Sequence, residues 1–540
     1  MIPLGVPSCV DVVSSETMPC RGAVSDTAAA VSLPRFTTGA LHLPFHGREG
    51  TTGSWLGAVP SGQHSSRLWF MSGAEDLQLK VCSFQAHGIG ATACDAAAKP
   101  PSLLRCDETW HAHPGSVQAM ATTALSVDNS ERGCVAGPAG GHGLIVTGGS
   151  ADTLHCWSIV RRACSAGTDV ATAGAGDGTL AAASADEMAV EWLCTKPFDE
   201  TSTQDQRIKA LAVFDLHTGG GAAGGVGDAG AARLEPHRFY AVVTGNSEGR
   251  LMLLLVDAWS RCVVEVARFR ENSKPVLSLQ CVHPGVATTS AADGSAGEAR
   301  VATSSLLIVG ATNGCISVWD LNPALDVAHT AAAMATGAHA LNAALVQAAR
   351  AELFGCAKPA AAAACGGYPQ LLSVFQAHGM GVNCLDAAVA AHGGPSDSPA
   401  RVVVASGGDG QGLVVTRFAL RATAAGGVAS AALSVEDVEM SLRAGVASAG
   451  LRGLQLRLRD SAGDDGGLVF LSGTDQRLTV WRFAARTRAS DDGQWADIDW
   501  LGCTHVEVAD ISSLDVLQVC DGEFEALLVG AGAQCVRVHV

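Results

Sequence analysis

Seven times along this chain, a run rich in β-branched and large apolar residues ends at a glycine and is followed, a few residues later, by a second such run. The units are Leu68–Gly73 with Leu77–Val81, Leu144–Gly148 with Leu154–Trp157, Tyr240–Gly245 with Leu251–Val256, and Leu306–Gly310 with Ile316–Asp320. Arg401–Gly407 with Leu413–Phe418, Leu468–Gly473 with Leu478–Trp481, and Ala526–Gly530 with Val536–Val540 complete the set. Run, Gly-containing turn and run make a β-hairpin, and hairpins recurring along one chain mark a repeat architecture. The expected fold is all-β, a WD40-type β-propeller of seven blades.

The turn glycines recur at a mean spacing of about 76 residues, against the ~40–45 of a compact WD repeat. The excess falls in long, low-complexity insertions near 216–233, 284–300, 324–370, 391–400, 421–432 and 460–467, most of them rich in Gly, Ala, Ser or Asp. Residues 331–354 differ, being Ala-rich with spaced leucines, the composition of one helix on the rim. The propeller is assigned to 61–540. Residues 1–60 are poorly defined, although Leu41–Glu49 can supply a strand that completes the first or the last blade. The start of the second blade has two candidates, Phe84–Asp95, which echoes Phe375–Asp386, and the stretch beginning His113-Pro-Gly.

The formal net charge of −17, from 52 acidic and 35 basic residues, argues against a broad surface for nucleic-acid phosphates. Eighteen cysteines scattered from Cys9 to Cys535 without a Cys-x-x-Cys pair read as reduced, mostly buried thiols of a cytosolic or nuclear protein, and a soluble, cytoplasmic protein is expected. No basic lead and apolar run opens the sequence, and no apolar stretch approaches the ~20 residues of a membrane span.

The repeat signature is carried by His378, Asp409, Trp319-Asp320, Asp475 and Trp481, with Asp76 and Asp152 at related turns. In a WD blade the Trp packs between blades, and a turn Asp bonds backbone and a His to pin the hairpin. Plain β-turn chemistry accounts for the same aspartates. Gly245-Asn-Ser247-Glu-Gly249 matches a hydrolase elbow, but a strand-like run follows where that motif needs a helix. Gly219–Gly224 lacks the context of a dinucleotide loop, and His111-Ala-His113 lacks a third metal ligand. No catalytic, cofactor or metal site is therefore expected. Strict alternation over Leu451–Arg459 throws Arg457 and Arg459 to one side of a strand. With Arg443, Arg452, Gln476 and Arg477 these form a candidate basic partner surface, a solvated strand face being the commoner meaning of such a pattern.

The last third resembles a known family. His378-Gly-Met-Gly-Val382-Asn-Cys-Leu385, Ala405-Ser-Gly-Gly-Asp409, Ser472-Gly-Thr-Asp-Gln-Arg-Leu-Thr-Val-Trp481-Arg482, His505-Val-Glu-Val-Ala-Asp-Ile511 and Leu528-Val-Gly-Ala-Gly532 are similar to the end of the WD-repeat proteins that partner the tRNA wobble-nucleotide ribose 2′-O-methyltransferase. Members of that family are longer, with further propeller units ahead of the matching region. The resemblance implies a non-catalytic subunit that binds the methyltransferase, which itself holds S-adenosylmethionine, and so meets tRNA indirectly. The alternative is a general protein-interaction scaffold with another partner.

Overall fold

The computed structural model describes residues 34–42, 46, 48–62, 65–87, 105–111, 113–123, 142–149, 153–162, 187–197, 207–216, 237–270, 274–288, 300–335, 340–354, 367–390, 399–423, 432–459, 466–486, 493–520 and 522–540. Seven four-stranded antiparallel sheets form a ring, a seven-bladed β-propeller. β1 (Arg35–His42) precedes blade one, which is β2 (Gly50–Gly62), β3 (Ser65–Ala74), β4 (Gln78–His87) and β5 (Arg105–His111). Blade two is β6 (Val117–Thr122), β7 (His142–Gly149), β8 (Thr153–Arg162) and β9 (Glu187–Pro197); blade three is β10 (Ile208–Asp215), β11 (Phe239–Asn246), β12 (Arg250–Asp257) and β13 (Cys262–Arg270). Blade four is β14 (Val276–Val282), β17 (Leu306–Ala311), β18 (Cys315–Asp320) and β19 (Gln370–Gln376), with β15 (Gly285–Thr288) and β16 (Arg300–Thr303) paired as an extra hairpin. Blade five is β20 (Val382–Val389), β21 (Ala400–Gly408), β22 (Leu413–Thr423) and β23 (Ala432–Arg443); blade six is β24 (Leu451–Leu458), β25 (Gly467–Gly473), β26 (Arg477–Ala485) and β27 (Ala496–His505). Blade seven is β28 (Ser513–Cys520), β29 (Glu523–Val529), β30 (Ala533–His539) and, as its outer strand, β1.

The first described strand, β1, thus closes the last blade, and the inner strand of blade one begins at Gly50, both ahead of the boundary expected at 61. All seven hairpins read from the sequence are the second and third strands of their blades.

The cores lie between blades. Val282, Leu306, Ile308, Ile316 and Val318 of blade four meet Val382, Leu385, Val402, Val404 and Phe418 of blade five in one apolar cluster. Second strands are covered on both faces, which is why β11, β25 and β29 are buried along their whole length and carry continuous apolar runs rather than alternation. The repeat glycines lie within or at the end of these strands, and their role is close approach. A methyl group on Gly73, Gly148, Gly245, Gly310 or Gly407 would sit 2.5–2.7 Å from the side chain of Val117, Ile208, Val276, Val382 or Leu451. Each of those is the first residue of the next blade's inner strand. Between blades seven and one the partners are exchanged, with Gly53 of β2 against Val529 of β29.

Inner strands of blades one to six carry a register shift around their second residue, and the outer pairs of the same six blades carry one near the waist. Bulges of this kind increase local twist, as a closed ring of radiating blades requires.

The stretch expected as one helix holds two, α1 (Asn322–Ala335) and α2 (Ala343–Phe354). Gly337 interrupts the Ala-rich run, and Asn342 accepts the Leu345 N–H at 3.1 Å as the cap of α2. α1 buries Ala324, Leu325, Val327, Ala328, Ala331, Ala332 and Ala335 in the core shared with blades three and four. The middles of the other insertions, including Gly219–Gly224, fall outside the described residues.

Candidate interaction face and axial channel

The second-to-third-strand turns and the connections between blades share one end of the ring, because each inner strand starts where the preceding second strand ends. A cavity of about 230 Å³ opens on the axis, lined by the inner strands of all seven blades, among them Thr51, Gln118, Lys209, Leu279, Asn383 and Arg452. Several polar groups around it link neighbouring blades. Thr51 Oγ1 donates to Val117 O, Lys209 Nζ to Gln118 Oε1 at 2.9 Å and Ser278 Oγ to Val382 O at 3.0 Å.

At the connections, three buried histidines each reach a hydroxyl on the second strand. His46 Nε2 lies 3.0 Å from Ser72 Oγ, His113 Nε2 2.8 Å from Thr147 Oγ1 and His378 Nε2 2.9 Å from Ser406 Oγ. In blade one His46 also lies 3.2 Å from Asp76, and in blade two the Trp157 indole N–H donates to Thr147 at 3.1 Å. Burial holds all three imidazoles below their ordinary pKa, and His113, beside His155, is brought down to about 3. His113 is therefore the residue that opens blade two. His87 belongs to β4, so the Phe84–Asp95 echo of Phe375–Asp386 is not a structural equivalence.

The other signature residues sit as follows. Asp409 does not pin His378: among the described residues its partners are Asn383 Nδ2 at 2.8 Å and Arg452 Nη2 at 3.4 Å, the latter on blade six. Asp475 accepts the Ser448 N–H and hydroxyl at 3.0 and 2.9 Å, Ser448 standing in the connection where other blades place a histidine. Trp319 and Trp481 pack in inter-blade cores and donate to Ser317 at 2.9 Å and Thr479 at 3.2 Å. Asp320 turns toward α1, taking the Asn322 N–H at 2.9 Å; burial raises its pKa to about 6.

The candidate partner surface is divided between the two ends of the ring. Arg452 follows Leu451, which pairs with Gly473 beside the Gly473–Arg477 turn, whereas Arg457 and Arg459 are at the opposite end, where Leu458 pairs with Gly467. Arg443 pairs with Leu413, placing it at the turn end of blade five, with Gln476 and Arg477 at that of blade six. Gln476 holds a left-handed backbone, φ 58°, as a turn tip requires. Arg457 is partly exposed and tied to its neighbours: Nη1 lies 3.7 Å from the buried Asp386, and Nη2 donates to Val516 O of blade seven.

Asp386 and Asp515 escaped the sequence reading. Asp386 accepts its own neighbour's Ala387 N–H and the Leu456 N–H of blade six, each at 2.8 Å; Asp515 accepts Val516 N–H and the Trp55 N–H of blade one, each at 2.9 Å. Each carboxylate straps one inner strand to the next. Burial raises the Asp386 pKa, with Arg457 and the two N–H groups acting against it. The shared Leu385-Asp386 and Leu514-Asp515 pairs were the available signal.

Ser247 lies in a turn built by Asn246, whose Oδ1 accepts the Glu248 and Arg250 N–H groups at 3.0 and 2.8 Å, and strand β12 follows at once. His111 ends β5 and His113 precedes β6, so the two belong to different blades.

The fold, the histidine–hydroxyl pins and the inter-blade tryptophans define a seven-bladed β-propeller consistent with the WD40 type. The chain matches no protein-family model and no curated protein.

Proposed function

We propose that this protein is a non-catalytic WD40-type scaffold whose turn face at blades five and six binds a tRNA ribose 2′-O-methyltransferase and so assists wobble-nucleotide methylation. The observation that carries the reading is that one of the two strings with the more specific family resemblance, Asp475 to Arg482, runs from the turn into the third strand of blade six and presents Gln476 and Arg477, with Arg443 at the same end of the neighbouring blade. Among the described residues neither arginine is in an ion pair, so both charges are available to a partner's carboxylates. The methyltransferase supplies the S-adenosylmethionine site and the chemistry. Depletion of the protein followed by mass spectrometry of tRNA nucleosides tests the role: wobble ribose methylation should fall, and unchanged methylation refutes it.

A second reading, a scaffold for some other partner, is favoured by large apolar side chains exposed on outer strands, Trp192 at 50%, Leu442 at 53% and Trp500 at 49%. Affinity purification separates the two. A methyltransferase should be recovered from the native chain and lost with Arg443→Glu/Arg477→Glu, and recovery of a different partner unaffected by those changes supports the second.

A further inference from the structure

Blade two places two cysteines directly opposite each other on neighbouring antiparallel strands, Cys156 of β8 and Cys194 of β9. Cross-strand partners have Cα atoms about 4.5–5.5 Å apart, inside the ~4.4–6.8 Å that a disulfide spans. Both side chains point into the core between blades two and three, Cys156 fully buried and Cys194 7% exposed. The two thiols differ in character. The facing thiol and then burial push Cys156 well above its ordinary pKa, whereas the facing thiol, with Arg261 acting the same way against burial, lowers Cys194. Arg261 is in the turn before β13, where a third thiol, Cys262, is engaged with Ser260 at 3.1 Å and with Leu341 O at 3.2 Å.

We propose that Cys156 and Cys194 form an oxidisable dithiol, in which Cys194 attacks a peroxide and Cys156 then closes a disulfide across β8 and β9. The Cys194 thiolate takes one oxygen of hydrogen peroxide, breaking the O–O bond and leaving a sulfenic acid and, with a proton, one water. The Cys156 sulfur attacks the sulfenic sulfur, the S–O bond breaks, and its thiol proton leaves with the hydroxyl as a second water. Two thiols lose two electrons and peroxide gains them. Cys194 is assigned the first step because the thiolate is the nucleophile and its thiol is the more acidic and less covered of the two. Closure would fasten the outer strand of blade two to its neighbour by a bond that needs no movement of the register.

The test uses the full chain, reduced, freed of reductant and treated with hydrogen peroxide, then unfolded, alkylated and digested. Mass spectrometry should find the Cys156 and Cys194 peptides joined, at the summed mass less two hydrogens, rising from background to the major form. Cys156→Ser should leave a sulfenic acid on Cys194 that reacts with dimedone, whereas Cys194→Ser should leave none on Cys156. Separate alkylation of both cysteines in the oxidised native chain overturns the proposal, as does linkage of Cys194 to Cys262. If either serine variant misfolds by circular dichroism, the unmodified chain still decides, since the joined peptide and its partner are read there.

Discussion

Replacing Gly408 by alanine is the sharpest test of the close-approach role of glycine, here between the first two strands of blade five, because Gly410, two residues away in the same Gly-rich turn, is its own control. A methyl group on Gly408 runs into the carbonyl oxygen of Gly381 and lies 3.0 Å from its carbon. That obstacle is backbone leading into β20, and no side-chain rotation removes it; the strands must part at the Val382–Gly408 pair. Overpacking costs about 1–3 kcal/mol, and the stiffer unfolded chain returns about 0.4–1 kcal/mol, leaving a net loss of about 1–2 kcal/mol. Gly410 has open space where its methyl would go and no left-handed backbone, so Gly410→Ala keeps only the return. With a urea dependence of about 3 kcal/mol/M, Gly408→Ala should lower the unfolding midpoint by roughly 0.3–0.7 M, while Gly410→Ala leaves it unchanged or raises it slightly. Equilibrium unfolding followed by tryptophan fluorescence reads both. If Gly410→Ala is the more damaging, the glycines serve the turn and the close-approach argument is wrong.

Asp320→Asn should stabilise the protein in a pH-dependent way. The folded carboxyl titrates near 6 against 3.8 when free, so between those values the folded chain holds a proton the unfolded chain has lost, and stability falls as pH rises through that window. The amide can still accept the Asn322 N–H, so the variant should gain roughly 1–3 kcal/mol at pH 8 and nothing near pH 3; an equal gain at both contradicts the assignment. Arg457→Leu should cost about 3 kcal/mol, the low end for a broken buried pair because the arginine side chain is 29% exposed. Adding Asp386→Asn should restore at least half of that, and a double variant no better than the single one rules out the strap.

What the sequence made legible is what a blade does within itself. The hairpins of all seven blades could be read because covered second strands need continuous apolar runs, and these stand out in a Gly- and Ala-rich chain. What one blade does to the next was less visible. Gly407 looked like turn chemistry because Leu451, the residue that forbids a side chain there, is remote in sequence. Arg457 looked exposed because alternation assigns a face without saying what stands opposite, and here Asp386 and Val516 stand opposite. The Phe84 and Phe375 stretches share letters but not a place, since β19 is followed by a buried histidine and the next blade, while β4 is followed by its own blade's outer strand.

The inter-blade straps also narrow where recognition can occur. A charged side chain bound to a buried group across a blade boundary cannot turn to a partner without loosening the ring, and Arg457 with Asp386 is bound in this way, whereas Arg452 and Asp409 form an exposed pair that costs little to break. Of the arginines on the candidate surface, Arg443, Arg459 and Arg477 are in no ion pair among the described residues, and Arg459 is at the far end from the other two. A partner that docks through carboxylates on the turn face must therefore depend on Arg443 and Arg477 together, and should be indifferent to Arg459. Arg457→Leu should lower the urea midpoint, whereas Arg477→Ala should weaken the interaction with the urea midpoint unchanged. That separation of stability from binding distinguishes a recognition residue from a strap.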